Sequence, residues 1–277
     1  NMQSMQSKKI PFIVATVALV LSVFYFLSVY DSDETEEYRF QEIPQQSSSD
    51  ILEEATVPEA SIPDSVSLEQ NISANTEIFN LPELDDSDIF LRERVSLISK
   101  NRDLTLWLSS SDVIRRIVSY IDGLSRGVIL DKIFPLSPPK NKLIIHMDDG
   151  KIWLNAGNYE RYDQTIKVIL SLDIKLLAKM FHFSRPLLET AFSELGYTPR
   201  QMDGIILRAL DQILETPVIY EPIPLTRDSV TYKFEQPEIE SLKPIQKQLI
   251  RSGPTNTEKI KNKAALLKKF LLNPNEK

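Results

Sequence analysis

The residue types that most often carry enzyme chemistry are scarce or isolated in this sequence. Its two histidines, His146 and His182, share no local motif with a carboxylate pair, whereas a zinc site needs three or four ligands. The glycines all occur singly, so no glycine-rich loop can present several backbone N–H groups to a phosphate. The pattern GxSxG occurs at 123–127 and SxxK at 137–140, but the first lies at the end of a helical stripe rather than after a strand, and no SDN or KTG motif accompanies the second. The absence of cysteine removes thiolate chemistry. The sequence therefore indicates no catalytic residue, no metal site and no cofactor.

A hydrolase that uses a carboxylate pair is the alternative function. Such a pair needs one carboxyl group with a raised pKa and another that stays ionised, roughly 5 to 10 Å apart. The candidates are Asp85, Asp86, Asp88, Asp122 and Asp163. The cluster at 85–88 also has the pattern of a helix cap with acids near the positive end of the helix dipole, and it lacks the ligand spacing of a calcium loop.

Aromatic and charged side chains alternate at 159–163, which makes this stretch a candidate binding site. Under one interpretation Asp163 caps a helix and Arg161 forms an ion pair. Under the other the stretch is a recognition patch, because Tyr and Arg are enriched at binding hot spots. The candidate residues are Tyr159, Arg161, Tyr162 and Asp163.

A basic stretch near the end of the sequence is the second candidate. Residues 243–277 hold nine Lys and Arg against two Glu. A solvated helix face explains this composition, and a patch for an anionic partner or for the acidic part of the same chain is the alternative. The candidate residues are Lys247, Arg251 and Asn256. Nucleic acid is not an expected partner.

A long apolar run near the start of the sequence predicts a location at the membrane. Residues 10–30 are 21 positions without a charge, and at about 1.5 Å per residue they match the roughly 30 Å hydrocarbon core of a bilayer. Because two lysines precede the run and acids follow it, we expect residues 1–9 in the cytoplasm and the rest of the chain translocated. A cleaved signal peptide is the alternative, but its apolar region would be shorter and would end in small residues.

The acidity of the chain is concentrated in residues 31–80, which hold 13 Asp and Glu against one Arg. This stretch is rich in Ser, Gln and Pro, so we expect a disordered acidic linker. Residues 81–277 then form one domain without disulfides.

Apolar spacing predicts a mainly α fold: a compact helical domain with one or two small β-hairpins, preceded by the linker and one transmembrane helix. Residues 113–124 have the clearest helical stripe. A hairpin is predicted at 143–155 around Asp149-Gly150, and a second at 217–234, where prolines favour a sheet edge. We expect the two hairpins to form or share a small sheet. Pro186 predicts a helix break or a fresh start, and Pro199 a helix start.

Six ordered motifs carry a resemblance to a known family. They are LPELDDSD (81–88), VSYIDGLSRG (118–127), NYERYD (158–163), RPLLETAFSELGY (185–197), LETPV (214–218) and QKQLIRSGPTN (246–256). Over about residues 81–270 the chain resembles the bacterial family called domain of unknown function 3014. The resemblance implies a single-pass inner-membrane protein of Gram-negative bacteria with a periplasmic domain, and it implies no activity.

These observations favour an interaction or scaffolding module in the periplasm, tethered to the inner membrane through residues 10–30. Its expected partner is an envelope protein or an anionic polymer. Besides the hydrolase, a carrier with an apolar pocket between the helices is a third hypothesis.

Overall fold

The computed structural model describes residues 57–64, 81–98, 104, 108–130, 143–227 and 231–276. Over these residues the fold is mainly helical and includes a small antiparallel sheet, as the sequence predicts. The helices are α1 (Ser87–Ile98), α2 (Val113–Ser125), α3 (Asp163–Leu170), α4 (Ile174–Glu194), α5 (Pro199–Leu214), α6 (Pro237–Glu240), α7 (Pro244–Arg251) and α8 (Pro254–Leu272), and 3₁₀ helices span Leu84–Asp86 and Ala156–Tyr162. The strands are β1 (Ile145–Asp148), β2 (Lys151–Leu154), β3 (Pro224–Arg227) and β4 (Tyr232–Phe234).

The larger hydrophobic core is formed mainly by α2, α4, α5 and α8. The predicted stripe of α2 is fully inside it: Val113, Ile114, Ile117, Val118, Ile121 and Leu124 are all buried. Burial of each such side chain contributes roughly 1.5–3 kcal/mol. The helix ends where Gly127 adopts a φ of +80°, and the Val128 N–H donates to the Gly123 carbonyl at 3.0 Å.

Pro186 lies inside α4, so the predicted helix break there is wrong. Proline offers no N–H to the carbonyl four residues earlier, which normally disfavours a helix interior. Phe181 before the proline and Leu187 and Leu188 after it are all buried in the larger core. This packing on both sides holds the helix continuous.

A small sheet in the order β1-β2-β3-β4 covers the second core. Ile145 pairs with Leu154 across the first hairpin, and its turn has a positive φ at both Asp149 and Gly150. That geometry is the one predicted for an Asp-Gly hairpin. The second core contains Leu154, Ile223, Leu225, Phe234, Ile239 and Ile250.

The second hairpin lies at one end of the sheet, as predicted, but its proline-bearing strand is not the edge strand. β3 lies between β2 and β4, with Trp153 opposite Pro224 and Leu225 opposite Phe234. A proline is tolerated as the first residue of a strand, and Pro224 occupies that position. The two predicted hairpins therefore share one sheet, and its edge strands are β1 and β4.

The expected membrane anchor at residues 10–30 lies outside the described residues. Within the described ranges, no helix combines the length and the apolar composition needed to cross a bilayer. Most of the expected linker, 31–80, also lies outside them. Residues 57–64 depart from the expected disorder, because they are packed against the helical domain and Ile62 is buried in the larger core.

Candidate functional site

The first predicted binding patch, at 159–163, is a connection between the two cores. Tyr159 packs against the second core, whereas Tyr162 is buried in the larger one. Burial raises the pKa of the Tyr159 hydroxyl. Two aromatic side chains that anchor one 3₁₀ helix in both cores position the sheet against the helices.

The polar residues of this patch also have structural contacts. Asn158 is buried, and its side chain accepts from the Ile144 N–H at 2.9 Å and donates to the Ile144 carbonyl at 2.6 Å. Arg161 donates to Asn158 Oδ1 at 3.3 Å. Asp163 is exposed in the first turn of α3, where the N-cap residue is Tyr162, so the predicted Asp163 cap is wrong.

The second predicted patch is centred on Glu240, which sequence reasoning did not select. Lys247 Nζ donates to its carboxylate at 2.8 Å, and the Phe234 N–H donates to it at 2.9 Å. The Arg251 guanidinium lies 5.0 Å from the centroid of the Phe234 ring. Lys247 and Arg251 therefore join α7 to α6 and β4.

The lowered pKa of Glu240 predicts that its contacts with Lys247 and Phe234 stabilise the fold less in acid. Burial raises this pKa, but the hydrogen bonds from Lys247 and from the Phe234 N–H, with the charges of Lys247 and Arg251, lower it overall. A carboxyl group with a lowered folded-state pKa stabilises above its unfolded pKa of about 4.3, and that stability is lost as pH falls through the folded value. We expect Glu240→Gln to flatten the decline in unfolding free energy below about pH 5. Denaturant titrations from pH 7 to 3 measure this, and an unchanged slope would contradict it.

Asn256 and most of the lysines of α8 have partners within the fold. Asn256 is buried and donates to the Ser252 carbonyl at 3.0 Å. Four of the five lysines of α8 have internal partners: Lys261 donates to the Thr216 carbonyl, Lys263 to the Leu172 carbonyl, Lys268 to Asp211, and Lys269 pairs with Glu276. These contacts favour the interpretation of a structural basic helix over that of an anion-binding patch.

The structure brings the two predicted patches together at one residue. Gly253 joins α7 to α8 with a φ of +90° and lies directly against Tyr159. A Cβ at this glycine would come within 2.5 Å of the Tyr159 ring. Both motifs therefore position elements of the fold.

Asp88 caps a helix other than its own. Its carboxylate accepts from the Asp112 and Val113 N–H groups, each at 2.8 Å, which are the N-cap and the first residue of α2. Arg92, one turn later, donates to the carbonyls of Leu108 and Ser110. The acidic cluster is thus a capping arrangement, as one interpretation proposes, but it joins α1 to α2.

Loss of the Asp88 carboxylate should lower the free energy of unfolding. We expect Asp88→Ala to lower the free energy of unfolding by about 1–2 kcal/mol, since two N–H groups at the start of α2 lose their acceptor. Asp86→Ala is the matched control, because Asp86 is an exposed acid of the same cluster, and we expect a change within about 0.5 kcal/mol. Equal effects in chemical denaturation would show that the cap is not responsible.

The candidate carboxylates have separate partners. Asp85 is bound by Arg115, which also binds Glu194, and Asp122 accepts from Tyr197 and Arg126. The hydrogen bond from Arg115 lowers the pKa of Glu194. The depression beside Arg115, about 480 Å³, is open to solvent and is lined by Asp85, Asp112, Arg115, Arg116 and Ser119. No group of three or more His, Asp or Glu in the described ranges could hold a metal ion.

Residues 57–64 lie across the first half of α5, and this arrangement was not predicted. The Ala60 N–H donates to the Arg200 carbonyl at 3.0 Å, and the Ile62 N–H donates to Asp203 Oδ2 at 2.7 Å. The Ile62 side chain is only 2% exposed. A Cβ at Gly204 would lie 1.9 Å from the Pro58 carbonyl oxygen, so only glycine lets the backbone pass so closely. We call this surface of α4 and α5 the Gly204 groove, defined by Arg185, Arg200, Asp203 and Gly204.

A buried ion pair forms the floor of the Gly204 groove. Asp203 is 1% exposed and accepts from Arg185 at 3.0 Å, and Arg185 also donates to Glu189 at 2.8 Å. Burial lowers the pKa of Arg185, but the hydrogen bond and charge of Asp203, with Glu189, raise it overall. Nearby, burial and the charge of Arg185 lower the pKa of His182. The carboxylate that accepts from the Ile62 N–H is therefore paired with a permanent cation.

One signal in the sequence marks this groove. Gly204 interrupts a strong helical pattern, and a glycine inside a helix costs about 1 kcal/mol relative to alanine, so it often indicates a close backbone approach. The apolar residues of 57–64 are too few to predict packing, and an Asp at a buried helix position is not separable from a surface Asp by sequence alone.

The family comparison agrees with the resemblance found in the sequence. Residues 113–268, more than half of the chain, match the family described as "Protein of unknown function (DUF3014)", and the chain belongs to this family. The match contains five of the six motifs and the Gly204 groove. The motif at 81–88 and the segment 57–64 lie outside it. Searches of curated proteins and of solved structures returned no match.

Proposed function

We propose that this protein is an interaction module of the cell envelope, and that it binds a protein partner through the Gly204 groove. The observation that carries the proposal is the extended segment 57–64, which α4 and α5 accommodate by a glycine, a buried carboxylate and an apolar site for Ile62. A surface that holds one extended segment through its backbone has the features of a peptide-recognition site.

The location is part of the same proposal. The 21 uncharged residues at 10–30, with the lysines before them and the acids after them, favour a single-pass inner-membrane anchor with the domain in the periplasm. A module placed in this way would act on envelope partners. A protein is favoured over an anionic polymer because four of the five α8 lysines have partners within the fold.

Catalysis has less support from the contacts. Asp88 caps α2, Asp122 is bound by Arg126 and Tyr197, and Asp163 is exposed. A carboxylate pair for hydrolysis needs two such groups facing one substrate. The depression beside Arg115 is open to solvent and is lined by charged residues and one serine rather than by apolar residues, so it does not favour the carrier hypothesis either.

In-cell photo-crosslinking of the full chain tests the proposed function. One probe replaces Arg200, which is exposed at the rim of the groove, and a control probe replaces Met147, exposed on β1. We expect one dominant protein adduct from position 200, none from position 147, and loss of the adduct in a Gly204→Ala background. Equal adducts at both positions, or none at either, would contradict the proposal.

A further inference from the structure

The Gly204 groove recognises mainly the backbone of residues 57–64. Two of its contacts use backbone N–H groups, those of Ala60 and Ile62, and a third places the Pro58 carbonyl against Gly204. Any extended peptide can offer an N–H at every second residue on one face. Ile62 is the segment's only fully buried side chain, so it sets the main side-chain requirement.

Acidic residues lie on both sides of this apolar position. Glu59 is 3.8 Å from Arg200, and Asp64 is 3.7 Å from Arg185. Glu59 and Asp64 are exposed, so each pair contributes little to stability, but together they favour one direction of the bound chain. The groove therefore fits an extended peptide in which a branched apolar residue stands between two acids.

The segment leaves part of the groove floor unsatisfied. Asp203 Oδ1 and Arg185 Nη1 are buried and have no hydrogen-bond partner among the residues that the structure describes. A buried polar atom without a partner costs about 1–3 kcal/mol. An occupant with one more N–H donor and a closer carboxylate would remove that cost, so residues 57–64 are not the best possible ligand.

Building on the interaction module proposed above, we propose that the Gly204 groove binds extended acidic peptides of partner proteins, and that residues 57–64 occupy it in cis as an intramolecular competitor. Sixteen residues, 65–80, join the segment to the domain. A short tether gives its ligand an effective concentration of about 1 mM, so a peptide with a Kd of about 10 μM would bind the intact chain roughly 100-fold more weakly.

Peptide binding to the full chain in detergent tests the competition. The probe is a fluorescein-labelled peptide with the sequence of residues 57–64, and its control carries Ile62→Glu. The receptors are the wild-type chain, the Ile62→Glu chain, and a chain with both Ile62→Glu and Gly204→Ala. Circular dichroism checks folding, and Ile62→Ala replaces Ile62→Glu if the latter does not fold.

We expect fluorescence anisotropy to show at least tenfold tighter peptide binding to the Ile62→Glu chain than to the wild type. The second substitution should abolish that binding, because its Cβ would occupy the position of the peptide carbonyl. No binding to the folded Ile62 variants, equal binding to the wild type, or binding that survives Gly204→Ala would each overturn the inference. Peptide binding without a crosslinked cellular partner would instead leave the groove assigned and contradict the proposed function.

Discussion

Asp203→Ala is expected to lower the free energy of unfolding by about 3–5 kcal/mol. The substitution removes the buried counter-ion of Arg185, which is 15% exposed, and leaves it only the more exposed Glu189 and Asp64. Removing one partner of a buried ion pair is among the most costly changes in a protein interior. The substitution also removes the acceptor of the Ile62 N–H. Chemical denaturation of the wild type and the variant measures the difference directly.

Two controls isolate the buried charge as the cause. Asp211→Ala removes an Asp of the same helix whose ion pair with Lys268 is about one-third exposed, and its expected cost is at most about 1 kcal/mol. The double variant Asp203→Leu with Arg185→Met removes both charges and should recover much of the loss, as apolar replacement of buried ion pairs often does. A single variant no more costly than Asp211→Ala would show that Asp203 is not a structural centre.

Gly253→Ala is expected to cost about 3 kcal/mol. The glycine has φ +90° and ψ +158°, a region that only glycine occupies readily, and strain there costs about 1–3 kcal/mol. The added Cβ would also lie 2.5 Å from the Tyr159 ring, which forces the two cores apart. Thermal and denaturant unfolding would report the loss.

Gly150→Ala separates the cost of backbone strain from the cost of the clash with Tyr159. Gly150 also has a positive φ, +75°, but a Cβ there would meet nothing within 4 Å, so only the backbone term remains. In addition, Tyr159→Ala should cost less in the Gly253→Ala background than in the wild type, because there it also relieves the clash with the new Cβ. Equal losses for the two glycine variants would contradict the role of the Tyr159–Gly253 contact.

The sequence predicts the elements of this fold better than their arrangement. The α2 stripe, the Asp149-Gly150 turn and the start of α5 depend on local periodicity and turn chemistry, and the structure confirms all three. The continuity of α4 through Pro186 and the interior position of β3 depend on tertiary packing, which overrides local preference.

In the candidate site, too, residue types are evident from the sequence, whereas contacts between distant residues are not. Tyr159, Arg161, Lys247 and Arg251 were selected as candidate binding residues. Tyr159, Lys247 and Arg251 each contact another part of the fold, and Arg161 donates to Asn158 of its own 3₁₀ helix. The Gly204 groove joins residues more than 100 positions apart in sequence, such as Ile62 and Asp203, and no local pattern encodes that contact. Gly204, a glycine inside a helical pattern, is the only sequence feature that indicates the groove.

Amide hydrogen exchange of the full chain tests the central claim most directly, namely that the Gly204 groove holds residues 57–64. We expect the Ala60 and Ile62 amides to exchange slowly in the wild type, because one donates to the Arg200 carbonyl and the other to a buried carboxylate. In Gly204→Ala their protection should disappear while that of α2 persists. Exchange of both amides at the unprotected rate in the wild-type chain would contradict the account.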